Sequence, residues 1–322
     1  MAIALLVLAS VLALGACGGD DESSGEGAAR LATPSASDFP KGEGKSFAQL
    51  FGSLAEGPVL APTTSAYTAG RTNRVAFATF DVERHQVRGA QVAVYLLSAE
   101  GAGARGPYVA TPQSLDVDAQ YRSRQTAADL DSNDTIYVAD VPIPKRGKYA
   151  IAGIAKLDGK ELRTSSFPLL AASAGGPPGP GDRAPKVDTP TGDDVAGDLQ
   201  KIDTRQPPLA ELHEVSAADV IGKEPVVLLF ATPQLCSSRV CGPVNDIEYQ
   251  ISADPKNDKV RFIHQEIYND NEVSAGLRPQ VNEYRLRTEP WAFVIARDGT
   301  ISDRIEGAFS AAELQAAVDK IR

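Results

Sequence analysis

Val226-Val-Leu-Leu-Phe230-Ala-Thr-Pro-Gln-Leu-Cys236-Ser-Ser-Arg-Val-Cys241-Gly-Pro243 is the stretch on which the reading of this chain turns. Five consecutive apolar residues bounded by turn formers read as a buried strand. Beyond the second cysteine, Val244, Ile247 and Ile251 recur at helical spacing. Two cysteines therefore stand where a strand gives way to a helix. The partial positive charge of a helix N-terminus favours a thiolate there. Such a pair either carries thiol chemistry or staples a turn.

The residues around this junction extend the pattern. Ser216-Ala-Ala-Asp219 opens a short helix that Gly222 ends. The helix after the cysteines runs to about residue 252, where Asp254-Pro255 stops it. Residues 260–268 read as a second strand, parallel to the first if a helix crosses between them. A helical piece follows near 279–284, then Thr288-Glu289-Pro290 and an apolar run, Trp291-Ala-Phe-Val-Ile295. Arg297-Asp298-Gly299-Thr300 is a hairpin turn leading to a last strand at 301–305. Ser310-Ala-Ala-Glu313 has the form of a capping box, and Leu314, Ala317, Val318 and Ile321 then share one helical face.

The order β-α-β then β-β-α, with cysteines after the first strand and a proline opening the third, resembles the thioredoxin-like superfamily. The resemblance covers residues 209–322 and implies an α/β domain. It implies that Pro290 is cis and packs beside a redox pair, Cys236 and Cys241, offering backbone to a substrate peptide. Glu289 and Trp291 would then border the substrate groove, although Trp291 reads equally well as a core anchor. The implied activity is thiol–disulfide exchange with protein thiols or disulfides outside the cytoplasm, using no cofactor.

The sequence departs from that family at the site itself. The family motif is Cys-x-x-Cys preceded by Trp; here the spacing is Cys-x4-Cys, Leu235 precedes, and Val244 stands where the motif starting at Cys241 has its second cysteine. Two alignments compete: Cys236 attacks and Cys241 resolves, or Cys241 takes the first position with an upstream partner. Position near the strand end and the neighbouring Arg239 favour Cys236 as the nucleophile. The peroxiredoxin spacing is absent. The copper-delivery pattern fails as well: its cysteines are closer together, and His264 falls in the second strand instead of a late loop. His213 precedes the domain core and reads as a surface residue, so no metal is expected. The rival to a redox role is a non-catalytic envelope binding protein whose Cys236–Cys241 disulfide is structural.

The N-terminus explains the third cysteine. Residues 2–16 form an apolar run too short to span a bilayer comfortably. It ends in Leu14-Gly15-Ala16-Cys17, which resembles the lipobox of bacterial lipoproteins, although no basic residue precedes the run. The resemblance implies a signal peptide at 1–16, diacylglycerol on the Cys17 sulfur, and a place at the extracytoplasmic face of the cell membrane. Several buried acyl chains hold where one would not. Residues 17–44 begin as a polar, aperiodic tether.

Between tether and thiol domain, residues 45–171 carry recurrent β-branched and aromatic runs, among them Val75 to Phe80, Val92 to Leu96 and Tyr149 to Ile154. A short helix near 46–54 is the one helical candidate. Leu157-Asp158-Gly159-Lys160 is a hairpin turn. Strands at regular turn spacing suggest an all-β, immunoglobulin-like sandwich. Its one histidine, His85, sits among acids in what reads as a solvated loop. Residues 172–208 hold the sharpest shift in composition, Gly175-Gly-Pro-Pro-Gly-Pro180 and a polar sequel, which marks an extended linker that packs along the second domain. The net charge of −10 argues against nucleic acid and against an electrostatic grip on anionic lipid.

Overall fold

A computed structural model of the chain describes residues 34–129, 133–172 and 175–322. Cys17 and the signal-like run lie outside the described residues. Ala32–Arg322 packs as one compact unit. Among the described residues, no helix is long and apolar enough to cross a membrane.

The first half contains α1 (Phe47–Phe51), started by a capping box between Ser46 and Gln49. It supplies β1 (Ala55–Glu56), β2 (Val59–Pro62), β3 (Tyr67–Thr68), β4 (Arg71–Phe80), β5 (Gln91–Ser98) and β6 (Arg105–Ser114). After α2 (Arg124–Ala128) come β7 (Thr135–Ile143), β8 (Gly147–Leu157), β9 (Lys160–Arg163) and β10 (Phe167–Ala172). Asp158 and Gly159 both adopt positive φ, 51° and 73°, which is what a two-residue turn between β8 and β9 requires.

These strands form one ten-stranded sheet in the order β1-β9-β8-β5-β6-β7-β4-β2, with β10 paired to β8 and to β3. The curl is made by β6. Its first part, through Ala110, pairs with β5, and its last part, Thr111 to Ser114, pairs with β7. The sheet thus folds over a core that includes Phe77, Val94, Leu96, Tyr137 and Val141. The outward residues of β5 and β8, such as Ala93, Tyr95 and Ile154, are covered by Phe51 and Leu50 of α1. An immunoglobulin-like sandwich is two sheets joined by loops; here one strand belongs to both halves. Turn spacing counts strands but does not say which neighbours they pair with.

The second half holds α3 (Ala217–Val220), β11 (Val226–Phe230), α4 (Cys241–Ser252), β12 (Arg261–Gln265), α5 (Pro279–Glu283), β13 (Trp291–Ile295), β14 (Ile301–Glu306) and α6 (Ala311–Val318). The sheet order is β12-β11-β13-β14, with β11 parallel to β12 and the other two pairings antiparallel. All five residues of β11 are buried because both faces of the sheet are covered. Val227 and Leu229 meet α4 and α6; Val226, Leu228 and Phe230 meet Tyr284, Trp291 and Phe293 on the other side. The whole molecule is therefore mixed α/β and rich in strands.

The Pro/Gly-rich segment lies along this second sheet. Gly181 N donates to Ile301 O and Ile301 N to Asp182 O, Arg304 donates to the carbonyl of Pro177, and Tyr284 donates to that of Pro185. Ala184 and Val187 enter the core. Ser216 does not cap α3 with its side chain, because its hydroxyl donates to Asp188 and accepts from Thr189 N.

The two halves share a core. Leu115, Val117 and Ile136 of the first pack with Val244, Ile247, Phe309 and Leu314 of the second. Arg74 of β4 makes a two-pronged bond to Glu313 of α6 and donates to the carbonyls of Glu306 and Ala308. Ser310 caps α6 by accepting from Glu313 N, but the Glu313 carboxylate turns to Arg74 instead of back to the cap. Gly307, at φ 73°, sits so close to the first half that an added Cβ would lie 2.0 Å from the carbonyl oxygen of Thr63. No side chain fits there.

Candidate functional site

Phe230 ends β11, residues 231–240 form a tight loop, and Cys241 is the first residue of α4, with Val240 as its cap. The helix starts here because Pro243 suits a first turn, where its missing N–H is not needed. Its buried stripe of Val244, Ile247 and Ile251 then docks on the sheet. Cys241 is carried into the core and is fully buried, whereas Cys236 is half-buried at the surface. Neither is in a disulfide.

The two thiols meet despite the wide spacing. The extra residues are taken up by a turn in which Arg239 N donates to Cys236 O and Arg239 adopts φ 57°. The Cys241 thiol hydrogen-bonds the Cys236 sulfur, and this, ahead of every other cause, lowers the Cys236 pKa to about 6. The Ser238 hydroxyl, 3.2 Å away, and the backbone N–H groups of Val240 and Cys241 at the helix start add to it against the opposing effect of burial. Burial pushes the Cys241 thiol well above its ordinary value, and the charge on Cys236 pushes it further. One sulfur is built to be a thiolate and the other to keep its proton.

The Arg239 guanidinium is engaged by the carboxylate of Asp129, just after α2, and the causes that lower the Cys236 pKa are led by the second thiol, a hydroxyl and the backbone.

The Glu289–Pro290 bond at the entry to β13 is cis. The Pro290 carbonyl accepts from Gly307 N, so it is used inside the sheet. Glu289 is half-buried, and its carboxyl is raised by burial and then by the charge of Cys236. The fold thus brings Glu289 within electrostatic reach of both cysteines. Trp291 is not at the surface: it is 1% exposed, donates its indole N–H to Thr288, and lies parallel to Phe293 with Arg304 over its ring. It anchors the core. Tyr268, just beyond β12, belongs to the site instead. Burial, then Glu289 and the two cysteines, raises its phenol. No signal in the sequence marked it beyond its place near the end of the second strand.

Beneath the loop lies a cluster that the sequence reading did not assemble. His213 is 2% exposed, which corrects its reading as a surface residue. It stands with Asp203 and with His264 of β12, the two imidazole centroids 5.5 Å apart. His264 Nε2 donates to the carbonyl of Ala231 at 3.1 Å, the first residue of the cysteine loop. Thr204, next to Asp203, accepts from Gln234 N and donates to the buried Glu266. Arg205 pairs with Asp246 of α4 at 3.0 Å, and Asp246 also accepts from Ser123 at the start of α2. The polar segment before the second sheet is thereby tied to the underside of the thiol loop. His85 remains an exposed residue beside Asp81 and Glu83.

No family model matches the chain, and no curated protein matches it. Among solved structures, a protein from Chlorobium tepidum provisionally described as thiol:disulfide interchange protein DsbE is similar over 44% of this chain and 99% of its own, at 16% identity and a TM-score of 0.30.

Proposed function

We propose that the chain is a thiol–disulfide oxidoreductase of the extracytoplasmic membrane face, anchored through Cys17, with a thioredoxin-like domain that uses Cys236 and Cys241. The observation that carries the reading is the asymmetry of the pair: an accessible thiol held near pKa 6 against a buried thiol held protonated. A structural staple needs neither the accessibility nor the split. The strand order, with one parallel and two antiparallel pairings, supports the thioredoxin-like assignment.

In this reading the Cys236 thiolate attacks one sulfur of a substrate disulfide. The S–S bond breaks, its electron pair leaves on the other substrate sulfur, and that sulfur takes a proton. A mixed disulfide now joins Cys236 to the substrate. With the Cys236 charge gone, Cys241 loses its proton more easily and attacks the Cys236 sulfur, expelling the second substrate thiol. Two electrons pass from the cysteine pair to the substrate, and the reverse sequence oxidises a dithiol. Glu289, its carboxyl raised by burial and by the charge of Cys236, is placed to exchange protons with the substrate sulfur.

Insulin reduction with wild type, Cys236→Ser and Cys241→Ser tests the proposal. Wild type is expected to be active, Cys236→Ser inactive, and Cys241→Ser to accumulate a mixed disulfide through Cys236. Equal behaviour of all three would leave the non-catalytic binding protein as the reading. Because hydrogen bonding of the Cys236 thiolate stabilises the reduced form, the potential is expected between about −270 and −120 mV; an inert staple lies below about −300 mV. For the anchor, Cys17→Ala is expected to release the chain from membranes, and retention there would refute lipidation at that residue.

A further inference from the structure

We propose that Asp203, His213 and His264 form a buried binding site for a divalent first-row transition-metal ion of the zinc type. The site stands whether or not the cysteine pair is redox-active.

Three separate segments converge on it. Asp203 follows the turn at Leu199–Lys201, His213 ends the turn at Ala210–His213, and His264 comes from β12. Exposure is 1%, 2% and 1% in that order. One ligand atom each from Asp203, His213 and His264 lies within 4.8 Å of the others. Such a convergence of polar groups is costly in a core unless something satisfies them.

The protein's own hydrogen bonds do not. His264 Nε2 faces the carbonyl of Ala231, which only accepts, so Nε2 carries the proton and Nδ1 is left to face Asp203. A ligating histidine is oriented in this way, its second nitrogen donating to a carbonyl. Nδ1 of His264 and both ring nitrogens of His213 find no hydrogen-bond partner among the described residues. Asp203 is itself fixed by Arg205 N at 2.8 Å and Leu209 N at 3.0 Å.

The spacings leave room for a metal. His213 Nε2 lies 3.4 Å from one Asp203 oxygen and His264 Nδ1 3.5 Å from the other. A charge-assisted hydrogen bond would close to about 2.7–2.9 Å. Ligands about 2.0–2.1 Å from a tetrahedral zinc ion are about 3.3–3.4 Å from each other. Two imidazole nitrogens and one carboxylate fit zinc(II) or its neighbours; calcium and magnesium want oxygen alone, and copper(I) wants sulfur. The ion would clip residues 203–213 to the second sheet.

The test uses the full reduced chain, stripped with a chelator and titrated with zinc, and a Cys236→Ser/Cys241→Ser double variant to remove the thiols as competitors. One zinc per chain is expected in both. Cobalt(II) in the double variant is expected to give the intense visible bands of four-coordination with no thiolate charge-transfer band. His213→Gln and His264→Gln are expected to lose at least 100-fold in affinity and to lose the rise in melting temperature that zinc gives the parent. His213, though buried, ends a four-residue turn outside the sheet, so its variant keeps the test informative if His264→Gln does not fold. Loss of zinc with the cysteines, or undiminished binding in a folded His213→Gln variant, would overturn the proposal.

Discussion

Cys236 and Cys241 differ by burial and by which of them receives hydrogen bonds, and that difference is chemical. With its pKa lowered to about 6, Cys236 is expected to react with iodoacetamide at a rate that is flat above about pH 7 and falls roughly tenfold per unit below about pH 5, while Cys241 stays unlabelled in the folded chain. A titration midpoint near the ordinary value of about 8.5 would contradict the geometry. The sign for stability follows from the same shift. A depressed thiol pKa stabilises the reduced fold fully above about pH 8.5, and that contribution is lost as pH falls through about 6. The cysteines and Pro290 were legible because their residue types carry meaning at a strand end. His213 was not, since nothing local distinguishes a buried histidine on a turn from an exposed one. His264-Gln265-Glu266 did hold a signal: three polar residues continue an apolar strand, and all three are buried.

Elements were readable in proportion to how much of their stability is local pattern. Val226–Phe230 needed only a run of apolar residues, and α6 needed a cap and a stripe, since Leu314, Ala317 and Val318 are buried as spaced. The α4 helix was found by the same period. By contrast α2 is five residues of polar composition, too short to stand alone. It exists because Ser123 caps it and also donates to Asp246 of α4, more than 100 positions away. Strands β1 and β3 have two residues each and depend on partners β9 and β10. The capping box at Ser310 was half right for a related reason: Glu313 finds a guanidinium from the other sheet and prefers it.

At the scale of the molecule, the shared cluster of Leu115, Val117 and Ile136 with α4 and α6 makes the two sheets one cooperative structure. Urea unfolding followed by the fluorescence of the single tryptophan, Trp291 in the second sheet, is expected to coincide with loss of the far-UV signal, to which the ten-stranded sheet contributes. Two separated midpoints would mean that the halves fold independently. What the sequence determined by itself is the strands and principal helices of the second sheet, their order, and the residue types at the thiol loop, because these depend on period, propensity and chain neighbours. Which sulfur is buried, that Arg239 meets Asp129, that one curled sheet replaces two, and that Asp203 meets His213 and His264 were decided only by tertiary structure. Each depends on packing between segments tens to hundreds of residues apart, and no local pattern encodes the partner.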